Sequence, residues 1–159
     1  MKNFNSICQE LSILINEWED KLTQLPTEVI TERRNIQDRT IKQIVGHMVD
    51  SASNNTHRII HLQYQESPCN YPDYANLGNN ERWIAIQNYQ DEDWDSMIQL
   101  WKYSNLHILH VIRNIHADKL ENIWISALGD KITLRDMVID YPRHFKLHLD
   151  EINELINKK

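Results

Sequence analysis

His144 and His148 stand four residues apart in the segment Asp140-Tyr-Pro-Arg-His144-Phe-Lys-Leu-His148-Leu-Asp-Glu151-Ile152. Four residues is slightly more than one helical turn, so on a helix both imidazoles leave the same face, where one divalent ion can reach both. The apolar stripe of this segment runs through Leu134, Val138, Tyr141, Phe145 and Ile152. His148 falls inside that stripe and His144 at its edge, so both are expected to face the core. A buried imidazole must satisfy two ring nitrogens; a metal takes one, and a carboxylate or carbonyl takes the other. The competing reading is a pair of hydrogen-bonded core histidines, and a third ligand from elsewhere would separate the two.

His47 is the best third ligand. Thr40 and Gln43 have capping-box spacing, which predicts a helix start there. The stripe of that helix runs through Ile41, Ile44, Val45, Met48, Ala52, Ile59 and Leu62, and His47 borders it in line with Ser51, Asn54 and Arg58. This polar seam can line a pocket leading to the metal, with Arg58 suited to anchor a substrate carboxylate; alternatively it is an interhelical hydrogen-bond network. His57, His61 and Asp50 lie on the opposite side of the wheel and are expected to face solvent. His107 and His110 point away from the stripe of Trp94, Met97, Trp101, Ile108 and Ile112. Of the 8 histidines, His47, His144 and His148 remain.

The elements that must position them are helical. Three glycines and four prolines in 159 residues, with helical periodicity through most of the chain, predict a single all-α domain over 1–159. Long helices are expected at about 5–25, 40–64, from the cap Asp93 to about 115, and from the cap Thr133 onward. A short helix is expected near 81–88, after an irregular stretch over 65–78. The β-rich residues around Gly129-Asp130 predict a small hairpin before the last helix. Such segments close into an antiparallel four-helix bundle, with the second and last helices neighbours at the site. Pro142, inside the last helix, should bend it or restart it, since an internal proline costs about 3 kcal/mol. Cys8 belongs to the stripe of the first helix and Cys69 to a loop, which makes no disulfide framework. Trp83, Trp94, Trp101 and Trp124 suit the core or a homodimer interface better than a substrate box. Asn105 projects into its helix's apolar stripe and must be hydrogen-bonded. Glu151 can act as general base or as acceptor for His148, although a solvated surface role is the simpler reading.

A formal charge of −6 without a basic stripe argues against nucleic acid as a partner. No signal-peptide core and no run approaching roughly 18 apolar residues is found, so the expectation is a cytoplasmic protein with no membrane partner.

The sequence resembles the DinB/YfiT-like bacterial proteins. The resemblance rests on His47, Asp50, Ser51, Asn54, Asn55, His57 and Arg58; on Tyr89, Trp94, Trp101 and Asn105; and on the closing motif from Thr133 through Asp140, Tyr141, His144 and His148 to Ile152. It departs from many members at Leu147, where they carry a further histidine, and at Glu151, where they carry glutamine. The resemblance implies a four-helix bundle in which three histidines, here His47, His144 and His148, hold a divalent ion. It also implies a metal-dependent enzyme acting on a small molecule by thiol transfer or hydrolysis, with a low-molecular-weight thiol as a second cofactor. Asp50 is carried by the resemblance alone and reads as structural. Three imidazoles leave at least one coordination position open and favour Zn²⁺, Ni²⁺, Fe²⁺ or Mn²⁺ over harder ions. The alternatives are a non-catalytic metal-binding or stress-response bundle, and a metal-free helical dimer whose histidines are ordinary core residues.

Overall fold

The computed structural model of the chain describes residues 4–158. Its helices are α1 (Phe4–Thr23), α2 (Thr27–Glu32), α3 (Ile41–Tyr64), α4 (Asn79–Gln87), α5 (Trp94–Arg113) and α6 (Leu134–Asn157), and its strands are β1 (Cys69–Asn70), β2 (Ile123–Ile125) and β3 (Lys131–Thr133). Thr40 starts α3 through the reciprocal pair that its spacing predicts: its hydroxyl accepts from the Gln43 amide, and the Gln43 side chain accepts from the Thr40 N–H. Asp93 and Thr133 cap α5 and α6 by accepting from the amides of Ser96 and Asp136. The long helices of the sequence reading are present; the six-residue α2 was not anticipated, having too few residues to show a period.

The helix α6 does not restart at Pro142. The proline forfeits one bond, to the carbonyl of Val138. Val138, Tyr141, Phe145, Leu149 and Ile152 are buried on both sides of it, and burial of large apolar side chains at about 1.5–3 kcal/mol each outweighs that loss.

The bundle consists of α1, α3, α5 and α6, with α3 and α1 each packed on both α5 and α6. Side-chain contacts fix the helix directions. Cys8 meets Leu109 while Glu19 meets Lys102, so α1 and α5 are antiparallel. Glu10 meets Lys146 and Lys21 meets Asn153, so α1 and α6 run the same way. At one end Lys42 donates to the carbonyls of Gln90 and Glu92, ahead of α5; at the other, Asn122, beyond α5, donates to Leu62. Hence α3 and α5 also run the same way. Two parallel helices cannot be joined by a tight turn, so the chain between them must travel the length of the bundle. That return segment carries β1, α4 and a 3₁₀ turn over Tyr89–Asp91, and α4 and the turn pack against α3.

The expected hairpin is β2–β3, turned at Gly129 with φ 86. The strand β1, read as loop, pairs parallel to β2, Cys69 opposite Trp124, making a three-stranded sheet in the order β1-β2-β3. Both cysteines are buried and free. No described helix is long and apolar enough to cross a membrane.

Trp101 fills the bundle centre, fully buried and stacked on Phe145 with ring centroids 6.0 Å apart. Beside it Asn105 is satisfied as it must be, donating to the Trp101 carbonyl at 2.7 Å and accepting from the Tyr141 hydroxyl at 3.0 Å.

Candidate metal centre

Because α3 and α6 are antiparallel, an advance along one is a retreat along the other. His47 therefore faces His148, and one turn further Ser51 faces His144. The rings of His47 and His148 have centroids 4.6 Å apart, those of His47 and His144 5.7 Å, and those of His144 and His148 4.5 Å. One candidate ligand nitrogen from each of the three lies within 4.8 Å of the other two. The Nε2 atoms of His144 and His148 are 3.1 Å apart. Two nitrogens bound to one ion at about 2.0–2.1 Å stand about 2.9–3.4 Å apart for angles between square and tetrahedral, so the pair is already at ligand spacing.

The supporting contacts choose which nitrogens are free. Glu151 Oε2 lies 2.8 Å from His148 Nδ1, so Glu151 is the partner of a buried imidazole rather than a solvated surface group, and His148 Nε2 is left facing the cluster. Ser51 Oγ lies 3.5 Å from His144 Nδ1. His47 Nδ1 is buried without a hydrogen-bond partner, a loss of about 1–3 kcal/mol. Burial first, then His148 and His144, push the His47 pKa down to about 2. Burial, then His148 and Arg143, opposed by Asp140 and Glu151, push that of His144 down to about 4. At neutral pH both are in the unprotonated form that a metal requires.

A cavity of about 530 Å³ opens at His144, with Ser51, Asn55, Arg58, Tyr74 and Trp124 in its wall. Ser51 and Arg58 of the seam both lie in this wall. Asn54 is not in the wall: its amide donates to the carbonyl of Asp50 at 2.9 Å, folded back on its own helix. Its neighbour Asn55 takes the wall position, donating to the Ser51 carbonyl. The guanidinium of Arg58 lies 3.6 Å from the centre of the Trp124 ring. Burial lowers its pKa from the ordinary arginine value, opposed by Tyr74, Asp73 and Tyr71. At the rim, Asp140 and Arg143 form an exposed two-pronged ion pair.

The expectation that Asp50 faces solvent is corrected. It is 2 % exposed, with its Oδ1 2.6 Å from the Tyr89 hydroxyl and 2.8 Å from Gln87 Nε2. The wheel placed it correctly on the outer side of α3, but the return segment covers that side. Burial raises its pKa, against the two hydrogen bonds. His57 is exposed as expected, whereas His61 is half-buried against Tyr64 and Tyr71.

Tyr74 and Trp124 complete the wall without any periodic signal in the sequence. Tyr74 lies in an irregular segment where no period operates, and its ring is 6.3 Å from that of His47. Its phenol is pushed up to about 12 by burial. Asp73 holds the segment in place. Its carboxylate accepts from the amides of Ala75, Asn76 and Ala127 and from the Asn76 side chain. Burial alone would raise its pKa; these four bonds hold it below the ordinary value.

No family model matches the sequence, and no curated protein is similar to it in sequence. Solved structures do match. YfiT from Bacillus subtilis, described as a probable metal-dependent hydrolase with an unusual four-helix bundle topology, superposes with a TM-score of 0.75 at 18% identity, over 93% of this chain and 85% of its own. A mycothiol-dependent maleylpyruvate isomerase superposes with a TM-score of 0.73 at 15% identity, over 96% of this chain. This chain spans 63% of the isomerase's length. The fold is the YfiT four-helix bundle, and its three-histidine cluster suits a divalent metal.

Proposed function

We propose that the protein is a metal-dependent enzyme acting on a small molecule by hydrolysis or thiol transfer, with His47, His144 and His148 as the metal ligands. The observation that carries this reading is the trio itself: one imidazole nitrogen from each of three histidines gathered within 4.8 Å, the Nε2 atoms of His144 and His148 3.1 Å apart, and His144 lining the cavity. The descriptions of the two similar structures, one a probable hydrolase and one a thiol-dependent isomerase, support the reaction classes. A divalent ion of the Zn²⁺, Ni²⁺, Fe²⁺ or Mn²⁺ type supplies a Lewis acid that favours the ionised form of water or of a thiol. Glu151 fixes the tautomer and ring orientation of His148. Ser51 steadies His144, and Tyr74 with Trp124 closes the cavity wall.

The test is the metal content of untagged protein purified without chelator, beside a His47→Ala/His144→Ala/His148→Ala variant. Near-stoichiometric metal in the first and none in the second supports the reading. No metal in either, with none taken up on titration, leaves three core histidines. With metal established, turnover of ester or amide substrates in buffer points to hydrolysis, and turnover only after a low-molecular-weight thiol is added points to transfer.

Glu151→Ala should weaken metal binding about 10–100-fold, the usual effect of removing a carboxylate behind a ligating histidine. Glu151→Gln retains an acceptor oxygen and should lose less. Competition against a chromophoric chelator reads both, and unchanged affinity in Glu151→Ala would mean that the carboxylate does not orient His148.

A further inference from the structure

We propose that Arg58 is a carboxylate-binding residue, so that the molecule entering the cavity is a small organic acid held by its carboxylate at Arg58 with its other end toward His144. The inference rests on the reading of the histidine trio as the reacting end.

Arg58 is 5 % exposed yet incompletely partnered. Its Nη1 has a long contact of 3.5 Å to Asn55 Oδ1, while Nε and Nη2 are buried and have no partner at all. Those two nitrogens share one edge of the planar guanidinium. Together they form the fork that matches the two oxygens of a carboxylate through parallel N–H···O bonds. Trp124 lies against the guanidinium face at 3.6 Å and fixes its plane, and the Trp124 indole is itself held by donating to the Tyr71 carbonyl. The fork is therefore preorganised.

The carboxylate whose charge acts on Arg58 is that of Asp73. Asp73 is already committed, with both oxygens accepting from the turn at Ala75 and Asn76 and from Ala127. It forms no ion pair with Arg58 among the described residues. Arg58 lines the cavity as a buried cation whose Nε and Nη2 have no partner in the protein, and an anion from outside would supply one. Ser51, Asn55 and Arg58 recur along one face of α3, and the step from Ser51, beside His144, to Arg58 is about 10 Å along the axis.

Isothermal titration of the metal-loaded protein with hexanoate and with hexanamide, its neutral counterpart, tests the proposal. Hexanoate should bind at least tenfold more tightly; Arg58→Gln should remove that preference, and Arg58→Lys should remove most of it, keeping the charge without the fork. Equal binding of acid and amide by the unaltered protein, which needs no variant, overturns the proposal. So does a preference that survives in Arg58→Gln, or tighter binding of inorganic phosphate than of hexanoate. The same titration on the triple-alanine histidine variant separates the two readings. A hexanoate preference kept in that variant shows that Arg58 and not a metal holds the acid, whereas an unaltered protein that takes up no metal yet shows the preference sinks the metalloenzyme reading and leaves the anchor. Stoichiometric metal without that preference does the reverse.

Discussion

Gly46→Ala should destabilise the protein by about 3 kcal/mol or more, even though glycine-to-alanine inside a helix ordinarily gains about 1 kcal/mol. A Cβ at position 46 would stand 2.2 Å from Tyr89 Cδ2, 2.4 Å from Cγ and 2.6 Å from Cε2. Cγ is the root of the ring, so no rotation of the side chain's far end relieves the contact. The ring cannot withdraw freely either, since Tyr89 is 2 % exposed and its hydroxyl is held at Asp50 Oδ1. Overpacking costs about 1–3 kcal/mol, and loosening a hydrogen bond to a buried carboxylate adds about 1.5–3 kcal/mol. Both exceed the helix-propensity gain. For a domain of this size the melting temperature should fall by about 6–12 °C. In a Tyr89→Ala background the same substitution should be neutral or stabilising, and that coupling is what a double-mutant cycle reads. A rise in melting temperature for Gly46→Ala alone would show that the 3₁₀ turn is not seated on α3 as described. Since position 46 adjoins His47, the single variant should bind metal less tightly too.

Zn²⁺ at a free concentration a hundredfold above its Kd should stabilise the protein by about 2.7 kcal/mol, because ligand binding to the folded state alone adds RT ln(1 + [L]/Kd). That corresponds to a rise of about 5–11 °C, read by thermal unfolding before and after chelation. The sign follows from the state of the ligands. With burial holding His47 at about 2 and His144 at about 4, neither must shed a proton to bind at neutral pH. The three nitrogens are gathered only in the folded chain, across α3 and α6. Mg²⁺ should give little shift, since imidazole suits hard cations poorly. The triple-alanine variant should show no Zn²⁺-dependent rise. A rise of equal size in that variant would place the metal elsewhere.

The helix caps at Thr40, Asp93 and Thr133 were legible in the sequence because capping is local chemistry between residues three apart. The histidine trio was legible because a wheel reports direction, and the stripes of α3 and α6 point inward at the same places. The wheel failed at Asp50 for an identifiable reason. It separates the core side of a helix from the other side, but it cannot tell an outer side open to water from one covered by another segment. That covering follows from α3 and α5 running in the same direction, a relation between elements that no local period encodes. The same limit hid Tyr74 and Trp124, which reach the cavity from a turn held by Asp73 and from a strand paired with β1. Asn54 and Asn55 differ by one position on the wheel, about 100°, and which of them faces a cavity depends on the walls opposite. The unfilled fork of Arg58 could not be foreseen, because a missing partner is visible only when every neighbour has been placed.

Ser51 and His144 meet across 93 residues of chain. As the chain is synthesised, the histidine of α3 is made early and remains without its companions until α6 has emerged and docked between α1 and α3. Until then a nascent chain presents one isolated imidazole at this site, a poor trap for any ion in the cell. During synthesis, completion of the trio thus waits on the docking of α6 against α1 and α3.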